Sequence, residues 1–499
     1  MDGDCPPGPA GDEAIRRLHR VLAAQKAAFA AQPYPSAAER RARLRALREQ
    51  LCRHQDRLVE AMSADFGYRS PSESKMFDLL ASVLAIDHLS ARLKRWMKPS
   101  RRRPELLFRT NGLAVHYQPK GVVGVIVPWN FPIYLAVGPL AAALAAGNRV
   151  MVKMPEAAPA TARAFARLIA EAFAEHDVAV VETPADTPGA FTALPFDHLV
   201  FTGSPATGRA VMAAAAANLT PVTLELGGKS PAIVCPGYPV AEAARRVMHG
   251  KGSNCGQICV APDYVLVHRP QAEAFAAAAI GQFHHLFPAE AGDRTTVAND
   301  GQLARLQAML ADARAKGATI RPCAPYDPLR DGRRMPVHLI LGGTAEMTVL
   351  REEIFGPLLP VIPYDTLDEA IAFVMARQRP LALYCFSRDR AEVRDLLART
   401  QSGGVTVNDW GWHVVNHDAP FGGIGGSGMG SYHGIEGFQA LSHARTVFTR
   451  RRFFPIDLFC PPYGSPIQRL VLRLFLGKAD PALAAAPTQG ETGWTTTSS

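Results

Sequence analysis

From Val115 to Leu226 short apolar runs alternate with longer segments in which alanine and leucine return at helical spacing. The runs Val122 to Val127, Arg149 to Lys153, Val178 to Val181, Leu199 to Thr202 and Val222 to Leu226 predict strands. Between them Ile133 to Ala146, closed by Gly147, then Ala160 to Ala174 and Gly208 to Ala217 predict helices. Strands that are apolar on both faces and separated by helices make a parallel, doubly wound sheet, whose ligands lie at the carboxyl ends of its strands. A second α/β stretch runs from about Cys259 to Val407. Its predicted strands are Tyr264 to Val267, Leu358 to Ile362, Leu381 to Phe386 and Gly403 to Asn408, and its helices include Ala272 to Phe287 and Gly301 to Ala315.

Helical spacing also marks residues 13–30 and a third segment from about Ser72 to Trp96. Between these, Ser36 and Glu39 form an S-x-x-E capping box, and Leu44, Leu47, Leu51 and Leu58 return on one face. These helices read as scaffold, without chemistry. Near the other end Ile467 to Leu476 is amphipathic, with Arg469 and Arg473 four apart; packing against the protein body or a partner subunit is the preferred reading over membrane attachment. The Ala, Pro, Gly and Thr-rich stretch from Ala479 predicts a mobile tail.

A chain of 499 residues with 48% hydrophobic and 20% charged residues predicts a soluble globular protein of two domains with a smaller third element. The net charge of +9 comes largely from short runs, Arg40 to Arg48, Arg101 to Arg103 and Arg450 to Arg452, read as solvated surface. No long basic stripe interleaved with aromatics is present, which argues against nucleic acid as a partner. The eight cysteines, at 5, 52, 235, 255, 259, 323, 385 and 460, lack framework spacing and suit a reducing compartment. No Cys or His pair completes a zinc site beside Cys255 and Cys259, so no metal is expected. The acidic start is not a secretory signal and no run reaches the length of a membrane span, so the expected location is the cytoplasm.

Polar residues fall where the doubly wound sheet places ligands. Asn130 follows the first strand, Lys153 and Glu156 the second, Gly203-Ser204 the fourth, and Glu225 with Gly227-Gly228 the last. Singly these are weak: the turn from Gly203 to Gly208 is not a G-x-G-x-x-G fingerprint, and Lys153 alone reads as a solvated charge. Cys259, in the stretch Gly252 to Pro262, is a candidate nucleophile, although by residue type alone a cysteine is a small buried hydrophobe.

Six motifs change that balance. Pro128-Trp129-Asn130-Phe131-Pro132, Phe201-Thr202-Gly203-Ser204, Leu224 to Lys229, Gly256-Gln257-x-Cys259, Glu352 to Pro357 and Pro420 to Gly428 occur together and in order. With them the chain resembles the aldehyde dehydrogenase superfamily across roughly residues 15 to 450. Asp65-Phe66-Gly67-x-Arg69-Ser70, Trp96 to Pro99, Val260 to Tyr264 and Ser427 to Gly434 look like the class 3 branch. With His413 to Asp418 added, the chain is most similar to bacterial coniferyl aldehyde dehydrogenases.

The resemblance implies a fold and a chemistry. Residues 1–228 would hold the N-terminal helices and an NAD-binding Rossmann-like domain, with a bridging strand near 105–118. Residues 229–425 would form the catalytic α/β domain, 426–460 would return to a small β bridging element, and 461–499 would be the amphipathic segment and tail. Cys259 would be the nucleophile, Glu225 the general base, and the Asn130 amide with the Cys259 backbone N–H the oxyanion hole. Lys153 and Glu156 would grip the adenosine ribose, Gly203 and Ser204 the pyrophosphate, and Glu353 and Phe355 the nicotinamide ribose and ring, with Gly208, Gly227 and Trp129 completing the cofactor set. The implied reaction oxidises an aldehyde to its acid through a cysteine thioester.

Two departures bear on the cofactor: Met154-Pro155 between Lys153 and Glu156, and Glu182-Thr183-Pro184 where the family commonly shows glycines. Carboxylates at 156 and 182 disfavour a phosphorylated ribose, so NAD is expected over NADP. Cys255 has two readings, bystander packing, which is preferred, and a thiol able to trap oxidised Cys259 if the Cα atoms lie within about 7 Å. Trp410, Trp412 and His413 would line the mouth of a pocket for an aromatic aldehyde, with long-chain aliphatic aldehydes as the alternative. Release to coenzyme A is disfavoured by Glu225, and a non-redox cysteine hydrolase by the pairing of nucleophile and base. The resemblance also implies a homodimer bridged by strands near Val115 to Gln118 and Thr446 to Thr449.

Overall fold

The computed structural model describes residues 9–183, 187, 189–288, 292–452 and 454–477; Cys5 and the tail from Ala479 lie outside them. These residues fall into two compact units, one within 1–97 and 118–443 and a smaller one within 98–117 and 444–499.

The larger unit holds two sheets. The first has six strands in the order Gly428–Met429, Val222–Leu226, His198–Gly203, Val122–Ile126, Arg149–Lys153 and Val178–Val181. The last five run parallel. Val123, Val150, Leu199 and Val200 are wholly buried, which is why their sequence runs carry no alternation. Gly428–Met429 pairs antiparallel at the edge, so the start of the segment expected to return to the bridging element instead extends this sheet.

The second sheet has seven strands, ordered Thr319–Pro322, His338–Leu341, Leu358–Tyr364, Tyr264–His268, Pro231–Val234, Ala382–Phe386 and Gly404–Val407. All neighbours are parallel except the first pair. Pro231–Val234 escaped the sequence reading because it is short and follows the preceding strand after only a glycine turn.

Helix Tyr134–Ala146 is buried along its whole length, so its last carbonyls need partners from protein. Arg40 supplies them: its Nη1 donates to the Ala145 and Ala146 carbonyls at 3.1 and 2.7 Å. Its place in a basic run predicts a surface charge for Arg40, yet the side chain is fully buried. The helix ends at Gly147, whose φ of +97° is strained for other residues and where a Cβ would sit 2.7 Å from the Arg40 guanidinium carbon.

The helix expected over Ser72–Trp96 is broken into Pro71–Glu73, a wide π turn at Ser74–Leu80, and Ala81–Trp96. The π turn carries Asp78, a fully buried acid. Such turns often mark functional positions.

In the smaller unit Ser100–Arg101, Gly112–Pro119 and Ser442–Thr449 form a three-stranded sheet with Gly112–Pro119 in the middle. Phe108, Phe448 and Phe454 pack together there, with ring centroids 5.6 to 6.1 Å apart. Helix Pro466–Leu476 starts at a Ser465–Gln468 capping box and exposes Leu470, Leu474 and Phe475. No helix among the described residues is long and apolar enough to cross a membrane.

Candidate active site

The cysteine loop leaves helix Val240–Gly252 through a left-handed turn. Asn254 and Cys255 have φ of +46° and +55°, a conformation costing about 1–3 kcal/mol per residue outside glycine. A dense set of bonds holds it. Glu73 Oε1 accepts from the Asn254 N–H at 2.9 Å, and Glu73 Oε2 from the Thr295 hydroxyl at 2.5 Å. Gln257 Nε2 donates to the carbonyls of Asn254 and Thr296, while its Oε1 accepts from the Ala298 N–H at 2.8 Å. Gln257, which served as a motif letter in the sequence, is the brace that presents Cys259.

Asn130 is held from both sides. Its Nδ2 donates to the Gln257 carbonyl at 3.1 Å, and its own carbonyl accepts from Asn254 Nδ2 at 3.2 Å and Arg69 Nη1 at 3.0 Å. Arg69 also pairs with Asp78 at 2.7 Å, both side chains fully buried, and Asp78 Oδ1 accepts from the Ile133 and Tyr134 N–H groups. Glu73 and Asp78 belong to the N-terminal helical segment that reads as scaffold from the sequence, and Arg69 lies in the short loop between Gly67 and Pro71 that leads into it.

Cys259 lines two cavities that share only it and Leu135. In the first, of about 250 Å³, it meets Asn130 and Glu225 beside Gly203, Ser204 and Glu353. The second, of about 90 Å³, is walled largely by aromatics, including Phe77, Phe131, Tyr134, Trp410, Trp412 and Phe421. His413 is not among its walls: its Nδ1 bonds the Thr406 hydroxyl at 2.8 Å and its ring packs towards Tyr384 and Phe421. That part of the expected pocket mouth is corrected, and His249, unnoticed in the sequence, takes a place in the wall.

The electrostatics favour neutral groups at rest. Burial pushes the Cys259 thiol up to about 12, the Glu353 and Glu225 carboxylates add to this, and the N–H groups of Cys259 and Val260 pull the other way. Glu225 is 2% exposed and neither carboxyl oxygen has a hydrogen-bond partner among the described residues, so burial alone raises it far above the ordinary carboxylate range. Burial also lifts Glu353 to about 8, reinforced by Asp263 and opposed by the Gly228 N–H, Lys229 and Arg305.

The residues expected to hold a dinucleotide are distributed along one strand-end surface. Trp129, Gly203, Ser204, Gly227, Glu353 and Phe355 line the larger cavity. Phe355 stands edge-on to Trp129 with ring centroids 5.4 Å apart. Ser204 caps helix Pro205–Ala216, accepting from the Thr207 N–H at 3.2 Å. Gly227 leaves room for a half-buried acid, since a Cβ there would lie 1.9 Å from Glu353 Oε2. Lys153 and Glu156 lie outside that cavity, paired at 2.5 Å, with the Thr183 hydroxyl 3.4 Å from the same Glu156 oxygen. Gly208 sits within its helix, where a Cβ would come 2.7 Å from Leu226 Cδ2; its smallness serves helix-to-strand packing. Gln302 and Arg305 complete the wall, and Arg305 holds the Glu353 and Ile354 carbonyls at 3.3 and 2.6 Å. A helix N-terminus, an open strand-end cavity and paired rings fit a dinucleotide.

Cys255 faces other surroundings. It packs in the core with Met335 and Leu358, its Sγ donates to the Met335 carbonyl at 3.5 Å, and the small cavity it lines shares no wall residue with those at Cys259. Packing accounts for it. Among the described residues no group of three or more His, Cys, Asp or Glu can hold a metal ion.

Comparison with known proteins gives a consistent result. Residues 11–447 match the family model described as the aldehyde dehydrogenase family. A probable coniferyl aldehyde dehydrogenase of Pseudomonas aeruginosa is 50% identical over 464 residues, covering 93% of this chain and 97% of that protein. Aldehyde dehydrogenase family 3 member B1 of Rattus norvegicus is 36% identical, over 89% of this chain and 94% of that protein. Among solved structures, the substrate-bound state of Staphylococcus aureus AldH superposes with a TM-score of 0.86 at 32% identity, covering 92% of this chain and 99% of that one. A Mycobacterium tuberculosis aldehyde dehydrogenase complexed with NAD+ gives 0.80 at 29% identity, over 88% and 91%.

Proposed function

The chain belongs to the aldehyde dehydrogenase family, and from that premise we propose that it oxidises aromatic aldehydes of the coniferyl type to their carboxylic acids with NAD. The observation that carries the substrate reading is the aromatic cavity at Cys259, separate from the polar one. The name of the 50% identical relative supports the same class.

Cys259, once its thiol has given up its proton, adds through Sγ to the aldehyde carbon, and the C=O π pair moves onto the oxygen as an alkoxide. Asn130 Nδ2 carries two hydrogens, one engaged by the Gln257 carbonyl, and the other with the Cys259 N–H serves the alkoxide. Gly203, Ser204, Glu353 and Phe355 on the cavity side, with Lys153 and Glu156 beyond it, would hold a dinucleotide, which would supply the acceptor for the hydride lost from the former aldehyde carbon as the alkoxide collapses to a thioester. Once the acyl group is a thioester on Cys259, Glu225 takes a proton from the attacking water. A carboxyl raised by burial is a stronger base once ionised, and its lack of partners leaves both oxygens for water. Hydrolysis through Glu225 makes release to coenzyme A unnecessary.

Glu156 beside Lys153 supports NAD over NADP, because the extra phosphate on the adenosine ribose of NADP would meet a carboxylate there. All seven described cysteines are free thiols, which supports a cytoplasmic location. A dimer is supported by Ser442–Thr449, an eight-residue strand at the edge of its sheet with Phe448 exposed. The test is a panel of aromatic and long-chain aliphatic aldehydes scored by kcat/KM with NAD, with and without coenzyme A. Preference for the aliphatic members, or dependence on coenzyme A, overturns the reading.

A further inference from the structure

The aromatic cavity has one ionisable nitrogen base in its wall, and the structure fixes how that base is protonated. His249 lies in the last turn of helix Val240–Gly252. The indole of Trp410 packs against the next residue, Gly250, where a Cβ would come 2.6 Å from Trp410 Cδ2. So held, Trp410 Nε1 donates to His249 Nδ1 at 2.9 Å, with the rings nearly perpendicular at 88°. An indole N–H only donates, so Nδ1 must accept and a neutral ring carries its proton on Nε2. Burial keeps the ring neutral, with Arg246 and Arg245 opposing Asp409. Among the described residues nothing accepts from Nε2.

We infer that His249 is a specificity-determining residue whose Nε2–H donates to an acceptor oxygen on the ring of the aldehyde, so that ring-oxygenated aromatic aldehydes are preferred. This rests on the aromatic reading above and narrows it. The rest of the wall is hydrocarbon and aromatic carbon apart from the Cys259 sulfur, backbone, indole nitrogens and the Tyr134 hydroxyl. Tyr134 is turned towards His433 Nε2, 3.5 Å away. A donor in such a wall favours a substrate that satisfies it over one that leaves it bare.

The experiment compares kcat/KM, with NAD, for cinnamaldehyde, its 3- and 4-methoxy derivatives and hexanal. A methoxy oxygen only accepts, so it tests the donor directly. In the wild type the better methoxy isomer should exceed cinnamaldehyde by about threefold to tenfold, the worth of one net hydrogen bond. In His249→Phe that ratio should fall to about one, in His249→Gln part of it should return, and Trp410→Phe, which frees the tautomer, should lower it. A ratio cancels any general loss of activity, and any one of these variants that folds gives a reading. A wild-type ratio of about one, or the wild-type ratio kept in His249→Phe, overturns the assignment while leaving the aromatic reading intact. Hexanal turned over better than every cinnamaldehyde sinks the aromatic reading and this assignment with it.

Discussion

Arg69 and Asp78 form a fully buried ion pair at 2.7 Å in which Arg69 Nη1 also donates to the Asn130 carbonyl and Asp78 Oδ1 accepts from the Ile133 and Tyr134 N–H groups just after it. The pair touches neither cavity, yet it positions the oxyanion donor. Removing one partner of such a pair leaves a buried charge, which costs about 3–5 kcal/mol. Arg69→Met should therefore lower the thermal midpoint and, in the protein that remains folded, lower kcat more than it raises KM. Unchanged stability by denaturant titration contradicts the packing described.

Cys259→Ala should abolish NADH formation from any aldehyde. Glu225→Gln should give a single burst of NADH and then stall at the acyl-enzyme, seen in a stopped-flow trace and as an adduct on Cys259 by mass spectrometry. Normal steady turnover by Glu225→Gln removes Glu225 as the base.

Asn130→Ala deletes one of two proposed oxyanion donors. The loss should be about 3 kcal/mol of barrier, or 10²–10³-fold in kcat. A loss below tenfold assigns the stabilisation elsewhere.

The raised acids and thiol set the pH response. Cys259 lies near 12 and Glu225 well above its ordinary range, and both must lose a proton to act. Activity should rise with pH through 7 to 9, and a flat or falling profile there contradicts the environment found. Stability runs the other way. Glu225 holds its proton in the folded state but releases it above about 4.5 when unfolded, so its contribution falls as pH rises from there towards its folded value. Glu225→Gln should accordingly raise the melting temperature at pH 8, with the gain shrinking towards pH 4.5.

Comparable kcat/KM with NAD and NADP would exclude the role given to Glu156. Glu156→Gln, which removes the charge and keeps the shape, should narrow the gap between the cofactors.

The five parallel strands of the first sheet were legible because they are buried on two faces and read as unbroken apolar runs, Arg149–Lys153 and Val222–Leu226 matching the prediction to the residue, whereas the short strands Pro231–Val234, Thr319–Pro322 and His338–Leu341 of the second sheet escaped. Cys259, Glu225 and Asn130 were legible through short motifs, and the structure gathers them in one cavity. What escaped were partners far apart in the chain. Glu73 and Asn254 are 181 positions apart, and nothing in a solvated-looking helix announces that its glutamate will meet a strained loop. Arg40 misled for the same reason, since a charge in a basic run looks exposed until a helix end is found to need it. His413 was placed by proximity in sequence to two tryptophans, but the turn at Gly411 sends it elsewhere.

The two cavities at Cys259 share only Leu135 besides the sulfur. Phe77, Trp412 and Phe421 can thus be exchanged to admit bulkier or slimmer aldehydes while every residue of the dinucleotide wall stays as it is. The enzyme is modular across one thiol and one leucine: its choice of oxidant and its choice of substrate can drift independently, with Cys259 and Leu135 as their common hinge.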